Sequence, residues 1–163
     1  YMCNDWYLAY VSINDIMDYK DFIEWFQKLS DQKELEWGAL WCAVHTEDED
    51  GYLVEPDIGF CPLPSGMSIS WDREKYPYLS LLDNSDLSHV AEANDEETMQ
   101  THFISMLSYN RDHDSPNRYQ DMINYVKKNG LKIHGFAVSA KKKALLELYQ
   151  EAMVSYIQTV PQN

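Results

Sequence analysis

Apolar residues recur along this chain with two different periods. Residues 6–13 (WYLAYVSI) are rich in aromatic and β-branched side chains and predict a strand. Asn14, Asp15 and Asp18 then predict a turn and a helix start. Over residues 19–29, Phe22, Ile23, Phe26 and Leu29 fall at helical spacing. Glu24 and Lys28 make a charge pair on the exposed side of that helix. Residues 37–45 and 56–63 predict a second and a third strand. The acidic turn 46–51 (TEDEDG) between them lacks calcium-loop spacing and reads as a solvated hairpin loop. The first third is thus strand, helix, strand, strand.

The longest continuous pattern spans residues 98–139. His102, Ile104, Met106 and Ser108 alternate with Phe103, Ser105, Leu107 and Tyr109, which predicts a strand buried on both faces. Ser115-Pro116 offers a cap followed by a proline at the first helical position. Tyr119, Met122, Ile123, Tyr125 and Val126 then recur at helical spacing. Lys127 and Lys128 suit the end of the helix dipole, and Asn129-Gly130 supplies a left-handed stop. Residues 131–138 resume as a strand. Between the two thirds, residues 67–71 and 76–82 read as short strands, and the acidic stretch 83–97 as a short helix or a loop. Residues 140–144 (AKKKA) predict a lysine-bearing loop. The last stretch carries both periods: Leu145, Leu148, Tyr149, Ala152 and Met153 are spaced as in a helix, whereas residues 154–159 alternate. The reading adopted is a loop followed by a strand ending at Pro161. The second part then echoes the first.

Composition narrows the function classes. A chain of 163 residues has room for one domain or a compact pair of sub-domains. Its 12 Tyr, 5 Trp and 5 Phe furnish either an aromatic core or a ring-walled pocket. The net charge of −14 argues against nucleic acid and anionic membranes. It favours a cationic ligand or a basic partner, or serves solubility alone. Cys3, Cys42 and Cys61 are too scattered for a disulfide framework or a zinc site, so reduced thiols in the cytoplasm are expected, with Cys61 a small buried hydrophobe. No membrane span or signal peptide is visible. The five histidines form no metal-binding pair, and His113, between Asp112 and Asp114, reads as an exposed turn residue. No catalytic or nucleotide-binding motif appears, and no cofactor is expected.

The order and spacing of four segments resemble the GyrI-like effector-binding domain, the ligand-sensing part of MerR-type multidrug-responsive transcription regulators. They are AYVSINDIMDYKDFIEWFQKL, WGALWCAVHTEDEDGYLVEPDIGFCPLPSG, FISMLSYNRDHDSPNRYQDMINYVKKNGLKIHG and YIQTVPQN. The resemblance implies an α+β fold: duplicated βαββ halves with antiparallel sheets around a pseudo-two-fold axis and a central ligand cleft. One effector-binding domain would fill residues 1–163, with halves at about 1–66 and 98–163 and an insertion at about 67–97. The family's drug-pairing glutamate would fall near residues 138–140, where this chain has Ser139. Serine suits a neutral, hydrogen-bonding ligand, with Glu147 or Glu151 beside Tyr149 as an alternative acidic group.

The ligand-binding residues expected from strand position and resemblance are Trp41, Phe60, Tyr109, Phe136, Ser139, Tyr149 and Glu151. The leading expectation is a cytoplasmic sensor of a small hydrophobic or cationic ligand. It would reach DNA only through a separate module preceding Tyr1, and would dimerise in the full-length protein. Two rivals stand beside it: a stand-alone GyrI-like binder or cyclopropanoid-type hydrolase, and an acidic inhibitor or immunity-type protein that masks a basic surface.

Overall fold

The computed structural model describes residues 5–33, 37–63, 70–81, 92–114 and 116–162. In chain order the elements are β1 (Trp6–Asp18), α1 (Tyr19–Lys33), β2 (Trp37–Val44), β3 (Gly59–Phe60), α2 (Glu96–His113), α3 (Pro116–Asn129), β4 (Lys132–Lys141), α4 (Lys142–Tyr149) and β5 (Val154–Pro161). The strands form one open antiparallel sheet in the order β3-β2-β4-β1-β5.

One side of this sheet is packed. Strand alternation sends Ala9, Val11, Leu40, Cys42, Phe60, Phe136, Val138 and Ala140 to that side, where all are buried. The helices cover it from edge to edge. On α2, Phe103 meets Phe60 at the β3 end, with ring centres 5.6 Å apart. In the middle, Phe22, Trp25 and Phe26 of α1 surround Phe136 at 5.4, 6.0 and 5.7 Å. Towards β5, Ala144, Leu145 and Leu148 of α4 are buried in the same core.

Helices α1 and α3 lie where the periodicity puts them. Met122, Ile123 and Val126 are buried on α3, and Gly130 takes the left-handed φ of 81° that ends it. The turn at residues 46–51 is solvated from Glu47 on, with the Asp48 carboxylate accepting from the Asp50 and Tyr52 amides, whereas Thr46 is buried. β1 does not turn at Asn14. It continues through an irregularity after Ser12 as far as Asp18. β3 is only two residues long, and residues 76–81 are turns and bends rather than a strand. Of the expected strand at 67–71, residues 67–69 lie outside the described residues, as do the cap Ser115 and most of 83–97, and residues 70–71 form no strand.

The largest difference falls on the expected strand over residues 102–109, which is the middle of α2. The Asp95 side chain caps that helix, accepting from the Thr98 amide at 3.2 Å and the Thr98 hydroxyl at 2.6 Å. Met99, His102, Phe103 and Leu107 then share the buried face at helical spacing. Likewise residues 142–149, expected to be loop and strand, form α4, and only 154–161 form a strand. The second half therefore runs helix, helix, strand, helix, strand. It does not repeat the βαββ order of the first, and strands from both halves join one sheet, so the duplicated halves with a cleft between two sheets are not seen.

Candidate functional site

The other side of the sheet carries no helix among the described residues. The register lays its side chains out in rows across the strands. One row is Gly59, Ala43, Gly135, Ser12 and Tyr156. The next is Trp41, Ala137, Tyr10 and Gln158, and a third is Ser139, Leu8 and Val160. The sequence builds this face by simple alternation: in β1, Ala9, Val11 and Ile13 go inward while Tyr10, Ser12 and Asn14 face out. Tyr10, Tyr156 and Val160 are 46%, 61% and 47% exposed, values that leave ring and aliphatic surface in water.

The first row is made of small residues, and the face dips there. A hollow of about 150 Å³ opens between Tyr10, Trp41, His134 and the Pro56-Asp57 turn, over Ser12, Ala43 and Gly135. Trp41 lies against β3, where a Cβ built on Gly59 would come within 2.5 Å of its ring. His134 is half-buried, and its Nε2 is enclosed without a hydrogen-bond partner. Burial lowers its pKa and the nearby His45 adds to that, against the Pro56 carbonyl and Asp57, so the ring is neutral near pH 7. His45 itself bonds the Glu47 carboxylate at 2.9 Å.

The seven residues expected to line a ligand cleft are spread over the molecule. Phe60 and Phe136 are in the core, 1% and 2% exposed. Trp41 and Ser139 stand on the open face, where the Ser139 hydroxyl donates to Gln162 Oε1 at 2.8 Å. Tyr109 is on α2, its ring stacked on His113 with centres 4.1 Å apart. Tyr149 is exposed at the end of α4 and Glu151 follows it, half-buried. Trp41 borders the hollow on the open face; Phe136 adjoins it along β4, but its ring packs against Phe22, Trp25 and Phe26 on the other side. Tyr149 borders a different one of about 280 Å³, between α4 and β5. A third, about 420 Å³, lies between the acidic turn and α3 and touches none of the seven. Sequence reasoning missed Leu8, Tyr10, His134 and Tyr156. For Tyr10 the signal was there, in the in–out alternation of β1.

Among the described residues no cluster of His, Cys, Asp and Glu is placed to hold a metal ion. The two described cysteines, Cys42 and Cys61, form no disulfide, and burial pushes the Cys42 thiol pKa far up. No helix among the described residues is long and apolar enough to cross a membrane.

Comparison with known proteins settles the family. No curated protein and no solved structure matches the chain. A family model described as the sigma factor regulator C-terminal matches residues 4–159. That match overturns the GyrI-like resemblance and the MerR-type drug-sensor reading built on it. It also replaces the small hydrophobic or cationic ligand by protein partners as the expected counterpart. The resemblance had rested on an order of strands and helices that α2 and α4 break, and on a ring-lined cleft whose rings at 60 and 136 fill the core instead. With nearly its whole length inside the match, this chain belongs to the family of sigma factor regulator C-terminal domains.

Proposed function

We propose that this chain serves sigma factor control by holding another protein on the bare side of its sheet, without chemistry of its own. One observation carries the reading: helices pack one side, while the other turns Leu8, Tyr10, Trp41, Tyr156 and Val160 outward. Antiparallel sheets often leave one face to water, and that face is then polar. Here rings and aliphatics are interspersed with Ser12, Ser139 and Gln158. Contiguous exposed apolar surface of this kind marks contact sites. Family membership supplies the setting, and the net charge of −14 favours a partner with a basic surface.

The test places Tyr10→Glu in the native gene product and follows a reporter driven by the sigma factor under its control. The expected result is loss of regulation at unchanged protein level and thermal stability. Unaltered regulation with the charge in place would sink the reading.

A further inference from the structure

We propose that the hollow on the open face is a seat for a single arginine side chain of the protein partner. The inference rests on reading that face as protein-binding, and it names the chemistry that the face would grip.

Three features of the hollow agree on a cation. Tyr10 and Trp41 line it, and aromatic rings attract positive charge. Its rim carries the exposed carboxylate of Asp57, and among the described residues no lysine or arginine lines it. The whole chain, at −14, draws basic surfaces toward it. His134 does not oppose this, because its ring is neutral near pH 7. The small residues Ala43 and Gly135 provide the depth, and about 150 Å³ suits one side-chain end rather than a free ligand of drug size. Arginine fits better than lysine. Its planar guanidinium stacks on a ring and forks onto a carboxylate, whereas an ammonium does neither.

A second copy of this chain does not fill the seat. The chain has three arginines and each is engaged. Arg73 lies over the Trp71 ring at 4.2 Å. Arg111 bonds Asp112 at 3.1 Å and Gln120 at 2.8 Å. Arg118 pairs with Glu55 at 2.8 Å. Two copies would also meet with like charge.

The test uses a short glycine–serine peptide bearing one arginine, with twins carrying citrulline or norleucine at that position. Binding is followed by NMR at the Trp41 indole and the Gly135 amide. The arginine peptide is expected to shift both signals, and loss of the charge in the citrulline twin to weaken binding about fivefold. Asp57→Asn should remove most of that discrimination without moving the melting temperature, and Tyr10→Leu should weaken the arginine peptide selectively. Equal binding of the norleucine or citrulline twin would overturn the proposal, as would shifts confined to Glu47, Asp48 and Glu49. Self-association that buries Trp41 would overturn it too. If the arginine preference holds while sigma-dependent output ignores Tyr10→Glu, the seat stands and the sigma reading falls. If output responds but arginine and citrulline bind alike, the seat alone falls.

Discussion

The imidazole Nδ1–H of His102 donates to the carbonyl of Tyr78 at 2.6 Å, tying the irregular segment 70–81 to α2. Tyr78 sits at φ 55°, a left-handed conformation that residues with a Cβ avoid. One turn along the same helix face, the Ser105 hydroxyl donates to the Pro77 carbonyl at 2.5 Å. Two buried polar side chains thus hold a backbone shape that the segment would not keep alone.

His102 makes stability depend on pH. Burial lowers its pKa, with the Tyr78 carbonyl working in the opposite direction. In the unfolded chain the ring titrates near its ordinary value of about 6.5. Above that pH both states are neutral and the full stability is present. Below it the unfolded chain binds a proton that the folded one refuses, so stability falls until the lowered folded pKa is passed. His134 acts in the same direction. Denaturant midpoints measured from pH 8 to pH 5 should therefore fall. His102→Gln should flatten part of the slope, and adding His134→Gln a further part. A flat wild-type profile would refute the assignment.

Asp112 sets a second, more acidic limit. The Tyr76 hydroxyl donates to its Oδ2 at 2.7 Å, and Arg111 bonds its other oxygen. These two hydrogen bonds, that of Tyr76 first, hold the carboxyl pKa at about 2. The contribution is fully present above about pH 4, where the unfolded carboxylate is ionised, and is lost as pH falls toward 2. Tyr76→Phe should raise the Asp112 pKa toward the ordinary carboxylate value, as read by NMR titration of its side-chain carbon. No movement would mean that Arg111 and Lys75, whose Nζ lies 3.5 Å from Oδ2, do the work without Tyr76.

The readable parts of the sequence were those where one face is apolar and the other is not. Phe22, Ile23, Phe26 and Leu29 on α1, and Met122, Ile123 and Val126 on α3, give such stripes, and Gly130 marks a stop that chemistry requires. α2 hid because both parities of residues 102–109 contain apolar side chains, which fits a doubly buried strand equally well. The deciding signal, the Asp95–Thr98 cap, sits in an acidic stretch that reads equally as a short helix or a loop. α4 hid because its eight helical residues follow β4 without a break and run on, four residues later, into the alternating pattern of β5. The candidate face was half-legible: alternation in β1 says that Tyr10 and Ala9 point oppositely. Which side the helices would cover is a tertiary matter that no local pattern carries.

Gly59 offers a direct check on the open face. A Cβ there would meet the Cys42 carbonyl oxygen at 2.0 Å and the Trp41 ring at 2.5 Å. The first contact is backbone within the β2–β3 pairing and cannot move without breaking it. Gly59→Ala is expected to cost about 1–3 kcal/mol in chemical denaturation, the usual penalty of overpacking. It should also displace the Trp41 indole signal in NMR. A variant with wild-type stability and an unmoved Trp41 would show that the indole does not rest on β3.

Phe136 and Tyr10 sit on β4 and β1, neighbouring strands, but on opposite sides of the sheet, and their substitutions should part company. Phe136 is 2% exposed and ringed by Phe22, Trp25 and Phe26, so Phe136→Ala opens a cavity that those rings fill only partly. The expected loss is about 3–5 kcal/mol of folding stability. Tyr10 is 46% exposed, and Tyr10→Ala should stay within about 0.5 kcal/mol of wild type, as surface substitutions do. If the ring at 136 lined a binding cavity, its removal would instead be tolerated in the unliganded protein. A large cost at Tyr10 would mean that something in the folded chain already covers that side of the sheet. Paired urea titrations of the two variants therefore test which side is core and which is left for a partner.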